Sequence, residues 1–333
     1  MKKFSRLWSI WLIALMLVIT AGCGTNNKTN DAASPSASAA QSQDTPASAS
    51  AEAQQHTSYP LVLKDASGTE VTFDAAPARI VSIAPSETEM LFALGLDEQI
   101  VGVSDNDDYP EAAKSKPKMG GWQINTEAIV AAKPDVVFAA GITSDDTIKA
   151  LRKLGIKVFQ FNPKTVDAVI QDVEQYGQIT DHQAEAKQVT DKMKAELAQV
   201  TEKIKSVSTD QKKKVYIEFS PGWTVGKGEF MDEMITLAGG VNVAADATGW
   251  YEINEENIIK ANPDVILYSK NVVDQNSKTL DQIIKARAGW DQITAIKENR
   301  VVALDDNLLS RTGPRITEGL IEVAKAIYPD LFQ

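Results

Sequence analysis

The sequence has few of the residues from which enzyme and metal sites are usually built. Its 333 residues include two histidines, His56 and His182, and one cysteine, Cys23. The chain therefore has too few of these residues to form a histidine-rich metal site, a Ser-His-Asp triad or a Cys-His pair. One cysteine also cannot form an intrachain disulfide. Neither of the glycine-rich phosphate loops, GxGxxG and GxxxxGK[ST], occurs. We therefore expect no catalytic residues, no metal site and no cofactor.

Positive charge is also scarce. The chain has 34 Lys and Arg against 45 Asp and Glu, which gives a formal net charge of −11. This balance disfavours nucleic acid and anionic lipid as partners. One enzymatic alternative stays open, an extracytoplasmic hydrolase that uses a pair of carboxylates, because an acidic chain supplies many such pairs.

The first residues have the pattern of a secretory signal. Basic residues precede an apolar run and small residues precede Cys23, so we expect removal of residues 1–22. The arrangement resembles a bacterial lipobox, with Thr20 where leucine is common, which implies that Cys23 carries a lipid. Residues 23–58 are rich in Ala, Ser, Thr and Gln and predict a disordered tether. The rest of the chain is then an extracytoplasmic body anchored to the cell membrane by this lipid.

Two stretches of the body are nearly alike. INTEAIVAAKPDVVF, residues 124–138, and INEENIIKANPDVIL, residues 253–267, agree at eight of fifteen positions with an offset of 129 residues. Each has the pattern of a helix, a Pro-Asp stop and a buried strand. Strands and helices alternate around them, which predicts two α/β lobes with largely parallel sheets, residues 59–164 and 209–333. Residues 165–208 have helical spacing and predict a long connection of one or two helices.

Three local patterns carry further expectations. Ser86 and Glu89, three residues apart near the start of the first helix, predict a capping box. The acidic loop SDNDDYP, residues 104–110, lacks the glycine and later ligands of an EF-hand and predicts a solvated loop. Trp290, in ARAGW at a helix bend, is expected in the core.

Several large aromatic residues lie beside glycines in loops. Trp122 follows MGG, Trp223 lies in SPGW, and Trp250 and Tyr251 lie in ATGWYE. Such residues offer flat apolar faces when they line a cleft. Because Trp122 and Trp250 precede the repeated stretches by nearly the same interval, we expect them on opposite sides of a cleft at the carboxyl ends of the strands. The pattern favours a flat, largely apolar ligand.

Five segments together resemble the substrate-binding proteins of ABC importers for vitamin B12 and iron complexes, most closely the cobalamin-binding member. They are VSIAPSETEMLFALG, VSDNDDYP, GGWQINTEAIVAAKPDVV, GWYEINEENIIKANPDVI and SRTGPRI, in family order from about Arg79 to the C-terminus. The resemblance implies two α/β lobes joined by a long rigid helix, in a monomer that delivers its ligand to an ABC permease dimer with ATPase subunits. It also implies that Glu127 and Glu256, one on each lobe, dock into that permease.

The resemblance implies a ligand site as well. Trp122 and Trp250 match aromatic residues that stack on the corrin, and Trp223 lies in a loop that carries a third aromatic. Tyr251 lies beside Trp250 and is expected to line the same cleft.

Other positions of the implied ligand site depart from the family pattern. One expected aromatic falls on Asn106, with Tyr109 as the substitute, and another falls on Ala140. The acid that faces the ligand aligns with Asn307 or, after a shift of one residue, with Asp306.

Three ligand classes remain for this family. Anionic ferric siderophores need clustered cations, and of the six arginines in the body only Arg311 and Arg315 stand close together. Haem needs an axial His, Tyr or Met, and His182 lies on the connection between the lobes. The remaining candidates for that ligand are Tyr109, Tyr251 and Met119. A corrinoid asks mainly for aromatic faces and scattered hydrogen bonds, so we expect cobalamin, with a ferric siderophore or haem as alternatives.

Overall fold

Short runs rich in β-branched and aromatic residues form the strands, and longer runs of helix formers separate them. The computed structural model describes residues 56–333. The strands there are β1 (Leu61–Lys64), β2 (Glu70–Phe73), β3 (Ile80–Ser82), β4 (Ile100–Gly102), β5 (Val136–Ala140), β6 (Val158–Phe161), β7 (Lys214–Glu218), β8 (Trp223–Val225), β9 (Val241–Asn242), β10 (Trp250–Glu252), β11 (Val265–Ser269) and β12 (Val301–Leu304). The α-helices are α1 (Pro85–Ala93), α2 (Thr126–Ala132), α3 (Asp145–Lys153), α4 (Val166–Thr180), α5 (Gln183–Ile204), α6 (Phe230–Leu237), α7 (Glu255–Ala261), α8 (Leu280–Ala286), α9 (Thr294–Lys297), α10 (Asp306–Ser310) and α11 (Ile316–Ile327).

Two four-stranded parallel sheets organise the fold. The first has the order β4-β3-β5-β6 and the second has the order β9-β7-β11-β12. All neighbouring strands in both sheets are parallel. Two antiparallel pairs, β1-β2 and β8-β10, lie outside the sheets. The sheet orders match strand for strand, and the expected α/β fold with two lobes is confirmed.

The repeated stretches fold into the same element. The side chains of Asn125 and Asn254 cap α2 and α7, each accepting a hydrogen bond from the backbone N–H three residues later. Both helices end in a left-handed residue, Lys133 at φ 47° and Asn262 at φ 49°. Strands β5 and β11 follow after the same interval. The repeat is therefore a complete unit of helix, turn and strand, present once in each lobe.

The aspartate that follows the repeated proline has a structural role. Asp135 Oδ2 accepts from the Arg79 N–H at 2.8 Å, and Asp264 Oδ2 accepts from the Lys214 N–H at 2.7 Å. The side chains of Arg79 and Lys214 then donate to carbonyls in the last turns of α2 and α7. In each lobe, the repeated aspartate binds the backbone at the start of a neighbouring strand. The basic side chain at that same position binds the end of the repeated helix, so the helix is held against the sheet.

The connection between the lobes consists of two helices. Helix α4 has 15 residues and α5 has 22, and between them Asp181 takes a left-handed conformation at φ 60°. The two helices pack against each other, while α4 also contacts α1 of the first lobe and α5 contacts α11 of the second. The rigid connection implied by the resemblance is thus a packed helix pair, with α5 as its long member.

The lobes share a continuous apolar core. One cluster of buried residues includes Phe138 of the first sheet, Tyr176 of the connection and Val265 of the second sheet. Close packing of this kind resists hinge motion. Trp290 is fully buried and meets Tyr216 edge-on at a centroid distance of 5.7 Å, which confirms its expected place in the core.

One local expectation is wrong, and another, the solvated acidic loop, fails at Asp107 although most of the loop is exposed. Helix α1 begins at Pro85 without a side-chain cap, because Glu89 is turned toward arginines of the second lobe. In the acidic loop, Asp107 is buried rather than solvated. Its carboxylate accepts hydrogen bonds from the Thr88 and Ser104 hydroxyls at 2.5 and 2.6 Å.

The predicted signal peptide, the lipidated Cys23 and most of the predicted tether lie outside the described residues. The last tether residues, 56–58, lie within them and are bonded to the end of α4. The Thr57 N–H donates to Asp181 Oδ1 at 2.6 Å and its hydroxyl donates to the Gln178 carbonyl at 2.7 Å. Within residues 56–333, no helix combines the length and apolar character that crossing a membrane requires.

Candidate ligand-binding site

A cavity of about 600 Å³ opens between the two lobes. Its first-lobe wall includes residues that follow three neighbouring strands, Ile83 after β3, Asn106 after β4 and Ile142 after β5. Its second-lobe wall comes from α10 and includes Asp306 and Asn307. The loops converge because the carboxyl ends of parallel strands share one edge of a sheet. The volume lies within the range of small-molecule sites.

A wide apolar surface in this cavity belongs to Trp122, which is 85% exposed. Its loop turns at Gly120, where φ is +89° and a Cβ would lie 2.3 Å from the Gln123 carbonyl oxygen, so the turn requires glycine. The neighbouring Ile142 is 71% exposed and lines the same cavity. A ligand ring laid on these side chains would remove apolar surface from water.

Beside the cavity, ion pairs join the two lobes. Glu89 of α1 is buried and accepts from Arg311 Nη1 at 2.8 Å and from Arg315 Nη2 and Nε at 2.7 and 2.8 Å. Arg311 Nη2 also donates to Asp108 Oδ1 at 2.7 Å. Burial acts to raise the pKa of Asp108, but the hydrogen bond and charge of Arg311 outweigh it and hold that pKa below its usual value. Two carboxylates of the first lobe thus pair with two arginines of the second.

The smaller polar candidates separate into those inside and those outside the cavity. Asn106, Asn307 and Asp306 line it, and the Asn307 side chain also bonds to Asp108. Tyr109 does not line it, because the Arg315 guanidinium lies over the tyrosine ring, 3.7 Å from its centroid. Ala140, where the resemblance expects an aromatic, is buried at the end of β5.

The aromatic residues of the second lobe form a separate patch. Trp223 and Trp250 lie in the paired strands β8 and β10 and are 38% and 36% exposed. The Trp250 ring packs against Phe219 and Phe230 at centroid distances of 4.9 and 5.6 Å. The Tyr251 hydroxyl donates to a backbone carbonyl at 2.7 Å. In the described part of the chain the cavity of Trp122 includes none of these aromatic residues.

A second contact between the lobes lies next to this aromatic patch. Lys164, which follows β6, donates to Glu229 Oε2 at 2.8 Å, and Glu229 immediately precedes Phe230. Glu233 of α6, the helix that begins at Phe230, accepts a hydrogen bond from the Val166 N–H at 2.6 Å. The patch therefore adjoins the edge of the first lobe at which β6 ends.

Acidic groups are buried close to the first-lobe wall. Glu87 accepts from the Ser86 hydroxyl at 3.1 Å and from the Tyr176 hydroxyl, and burial raises its pKa to about 7. Burial, together with the charge of Glu87, raises the pKa of Asp172 to about 8. The buried Asp172 Oδ2 has no hydrogen-bond partner among the described residues. Burial also raises the pKa of Asp107, against hydrogen bonds that lower it.

Glu127 and Glu256 are the second residues of α2 and α7 and are both exposed. Among residues 56–333 neither carboxylate forms an ion pair, whereas the adjacent Glu255 binds Arg287 Nε at 3.1 Å. Each copy of the repeat therefore has one shared glutamate and one shared aspartate, and the two differ in whether they bind other parts of the protein. Asp135 and Asp264 are engaged inside the protein, and Glu127 and Glu256 point to solvent.

Sequence reasoning missed the group formed by Glu89, Asp108, Arg311 and Arg315. Glu89 and Arg311 are separated by 222 residues, and no periodicity links residues so far apart. The one available signal was the pair of arginines near the C-terminus, because two neighbouring positive charges are expected to pair with carboxylates. Within residues 56–333, no three or more His, Cys, Asp and Glu side chains gather in a metal-binding arrangement.

A cavity between two parallel α/β lobes, with an exposed tryptophan at the carboxyl edge of a sheet, is typical of a small-molecule binding site. The chain belongs to the periplasmic binding protein family, whose sequence profile matches residues 80–308.

Named relatives support this assignment. The chain is 36% identical, over the full length of both proteins, to the uncharacterized ABC transporter substrate-binding lipoprotein YvrC of Bacillus subtilis. It is 30% identical to a cobalamin-binding protein of Halobacterium salinarum, over 83% of this chain and 76% of that one. A solved structure described as a possible iron-binding periplasmic solute-binding protein of Staphylococcus epidermidis is 33% identical. It has a TM-score of 0.65 and covers 76% of this chain and 100% of its own.

Proposed function

We propose that the protein is the substrate-binding component of an ABC importer and that it captures a corrinoid, such as cobalamin, between its lobes. The observation that carries the proposal is a cavity with an exposed tryptophan face and no unpaired arginine. Trp122 supplies the apolar wall, while Asn106 and Asn307 supply hydrogen-bonding groups. The names of the relatives with 36% and 30% identity agree with both parts of the proposal.

The charges beside the cavity argue against an anionic ferric chelate. Such a ligand is held by free guanidinium or ammonium groups. Here Arg311 and Arg315 already donate to Glu89, and Arg311 donates to Asp108 as well. A bulky ligand of low charge is compatible with this arrangement.

Most of the candidates for a haem ligand are engaged elsewhere. The Tyr109 ring is covered by Arg315, the Tyr251 hydroxyl donates to a backbone carbonyl, and Met119 is 3% exposed. His182 Nδ1 lies 2.7 Å from the Thr180 carbonyl oxygen, on the connection between the lobes. Coordination by Tyr251 or Met119 would require such a contact to break, whereas the hydroxyl of the exposed Tyr109 keeps haem as an alternative ligand.

A neutral ferric hydroxamate is the competing ligand class, because it needs no free cation. The structural relative with 33% identity is described as possibly iron-binding, which favours keeping this class in the test. We would titrate cyanocobalamin and a neutral ferric tris-hydroxamate into the protein while following tryptophan fluorescence. The proposal expects saturable binding of cyanocobalamin, and preferential binding of the hydroxamate would replace it.

The aromatic wall can be tested by substitution. Trp122→Ala removes the exposed indole and should weaken cyanocobalamin binding at least about fivefold, since an aromatic contact contributes about 1 kcal/mol beyond the area it buries. Leu154→Ala alters a residue that is 57% exposed and absent from the cavity lining, and should leave the Kd unchanged. An unchanged Kd in Trp122→Ala would show that the ligand binds elsewhere.

We propose that Glu127 and Glu256 dock the protein onto a permease dimer. They occupy the same position in two equivalent helices, both are exposed, and neither forms an ion pair among the described residues. A protein that binds over a two-fold symmetric partner needs one such contact from each lobe.

Charge reversal tests the docking role. The double variant Glu127→Lys with Glu256→Lys should lose transport and permease binding while its corrinoid Kd stays unchanged. Glu185→Lys is the matched control, because Glu185 is also an exposed acid in the first turn of a helix. If transport survives the double reversal, the two glutamates do not dock the permease and serve only to interact with the dipoles of their helices.

The competing class of function is an extracytoplasmic hydrolase in the same cleft. It predicts turnover that survives Trp122→Ala and Trp250→Ala and depends on a pair of carboxylates. The proposed binding protein has no such turnover. In this proposal it works outside the cytoplasm, held to the cell membrane by a lipid on Cys23, and as a monomer.

A further inference from the structure

We propose that Glu89 and Asp108 determine the charge specificity of the cleft, because they occupy the arginines that would otherwise attract anionic ligands. This inference deepens the proposed function and rests on it. It assigns a role to two carboxylates that belong to neither the aromatic wall nor the docking pair.

The Glu89 carboxylate accepts hydrogen bonds from both guanidinium groups and offsets their charge. The Glu89 side chain is 1% exposed, and its Oε1 accepts from both Arg311 and Arg315 while its Oε2 accepts from Arg315 Nε. Arg311 lines the cavity, but its Nη1 donates to Glu89 and its Nη2 donates to Asp108. Other N–H donors remain on each guanidinium, but a ligand carboxylate would meet a positive charge that these carboxylates already balance.

The remaining charge in the cavity wall is negative. Asp306 accepts from an asparagine amide at 2.6 Å and has no ion pair among residues 56–333. The two carboxylates Glu89 and Asp108 balance the charges of Arg311 and Arg315. Asp306 then adds one excess negative charge. An anion entering the cavity is repelled by this excess, whereas a neutral ligand is not.

Asp108 is the residue through which this balance can be changed without disturbing the core. Its side chain is 52% exposed, while that of Glu89 is buried. Asp108→Asn keeps the shape of the side chain, removes one negative charge beside Arg311, and leaves Glu89 to hold both arginines. Glu98→Gln is the control, since Glu98 is an exposed acid of the same lobe that precedes β4, at the edge of the sheet away from the cavity, and has no ion pair among the described residues.

The experiment compares two corrinoids that differ by a single charge. Kd values for cyanocobalamin and for its monocarboxylate derivative are measured on the wild-type protein, Asp108→Asn and Glu98→Gln at low ionic strength. We expect the wild type to prefer the neutral corrinoid. A unit charge removed at about 10 Å in a surface dielectric changes the ratio of the two Kd values about sevenfold at low ionic strength. Asp108→Asn should shrink the ratio by that amount, and Glu98→Gln should leave it unchanged.

An equal ratio in the wild type and Asp108→Asn overturns the inference while the proposed function stands. If cyanocobalamin does not bind the wild type at all, the proposed function fails. In that case the same variants are titrated with a trianionic ferric tris-catecholate and a neutral ferric tris-hydroxamate. A gain in affinity for the anion in Asp108→Asn alone would support the inference, and the absence of any gain would overturn it.

Discussion

Replacing Asp172 by asparagine should flatten the dependence of stability on pH. Asp172 is half-buried in α4, its Oδ2 is buried and unpartnered among the described residues, and burial followed by the charge of Glu87 raises its pKa to about 8. An unfolded chain ionises aspartate near pH 3.9. The folded protein thus binds one more proton than the unfolded chain between these two values.

The sign and size of the effect follow from this difference. Because the folded-state pKa is raised, the stabilisation is complete below about pH 4 and is lost as pH rises toward 8. One proton corresponds to about 1.4 kcal/mol per pH unit, so Asp172 alone removes about 2.7 kcal/mol between pH 5 and pH 7. Glu87, whose pKa is about 7, adds a similar slope at the lower end of this window.

Urea unfolding at several pH values measures the slope directly. The free energy of unfolding of Asp172→Asn should fall less steeply than that of the wild type, by about 1.4 kcal/mol per pH unit from pH 5 to pH 7. Glu174→Gln alters an exposed acid of the same helix and should retain the wild-type slope. Parallel slopes in the wild type and Asp172→Asn would refute the argument that Asp172 is neutral in the folded protein.

Other substitutions test the ties between lobes, the repeated unit and the second aromatic patch. Glu89→Ala leaves Arg311 and Arg315 without their shared carboxylate and should lower the free energy of unfolding by about 3–5 kcal/mol in urea; a loss below 1 kcal/mol would mean that water replaces it. Asp135→Ala removes the acceptor of two backbone N–H groups and should cost about 1–3 kcal/mol by the same assay. Trp250→Ala should leave the Kd for cyanocobalamin unchanged, because Trp250 lies outside the cavity of Trp122, and weaker binding would extend the ligand site to this patch.

The fold was predictable because its signals are local or repeated. Alternating apolar strands and helical runs indicate parallel α/β lobes, and the fixed offset of the repeat indicates that the lobes share one topology. The repeated Pro-Asp also had a structural explanation, which the bonds of Asp135 and Asp264 supply. Glu89 was misassigned because a capping box is a local rule, and a buried carboxylate facing two arginines follows the tertiary contact instead.

The ligand site was predictable only in part. Trp122 was recognised as an exposed aromatic because a glycine turn precedes it, and it lines the cavity together with Asn307. Which aromatic residues meet depends on how the lobes are oriented, and the sequence has no signal for that. Trp250 consequently lies in a separate patch, and Tyr109 lies under Arg315.

The central claim is that the cleft binds a corrinoid, and a calorimetric titration of cyanocobalamin into the wild-type protein tests it most directly. The account predicts saturable binding with one ligand per protein. It also predicts little dependence on salt, because the paired arginines contribute no free charge to a neutral ligand. The absence of binding, or stronger binding of a ferric chelate under the same conditions, would contradict the claim.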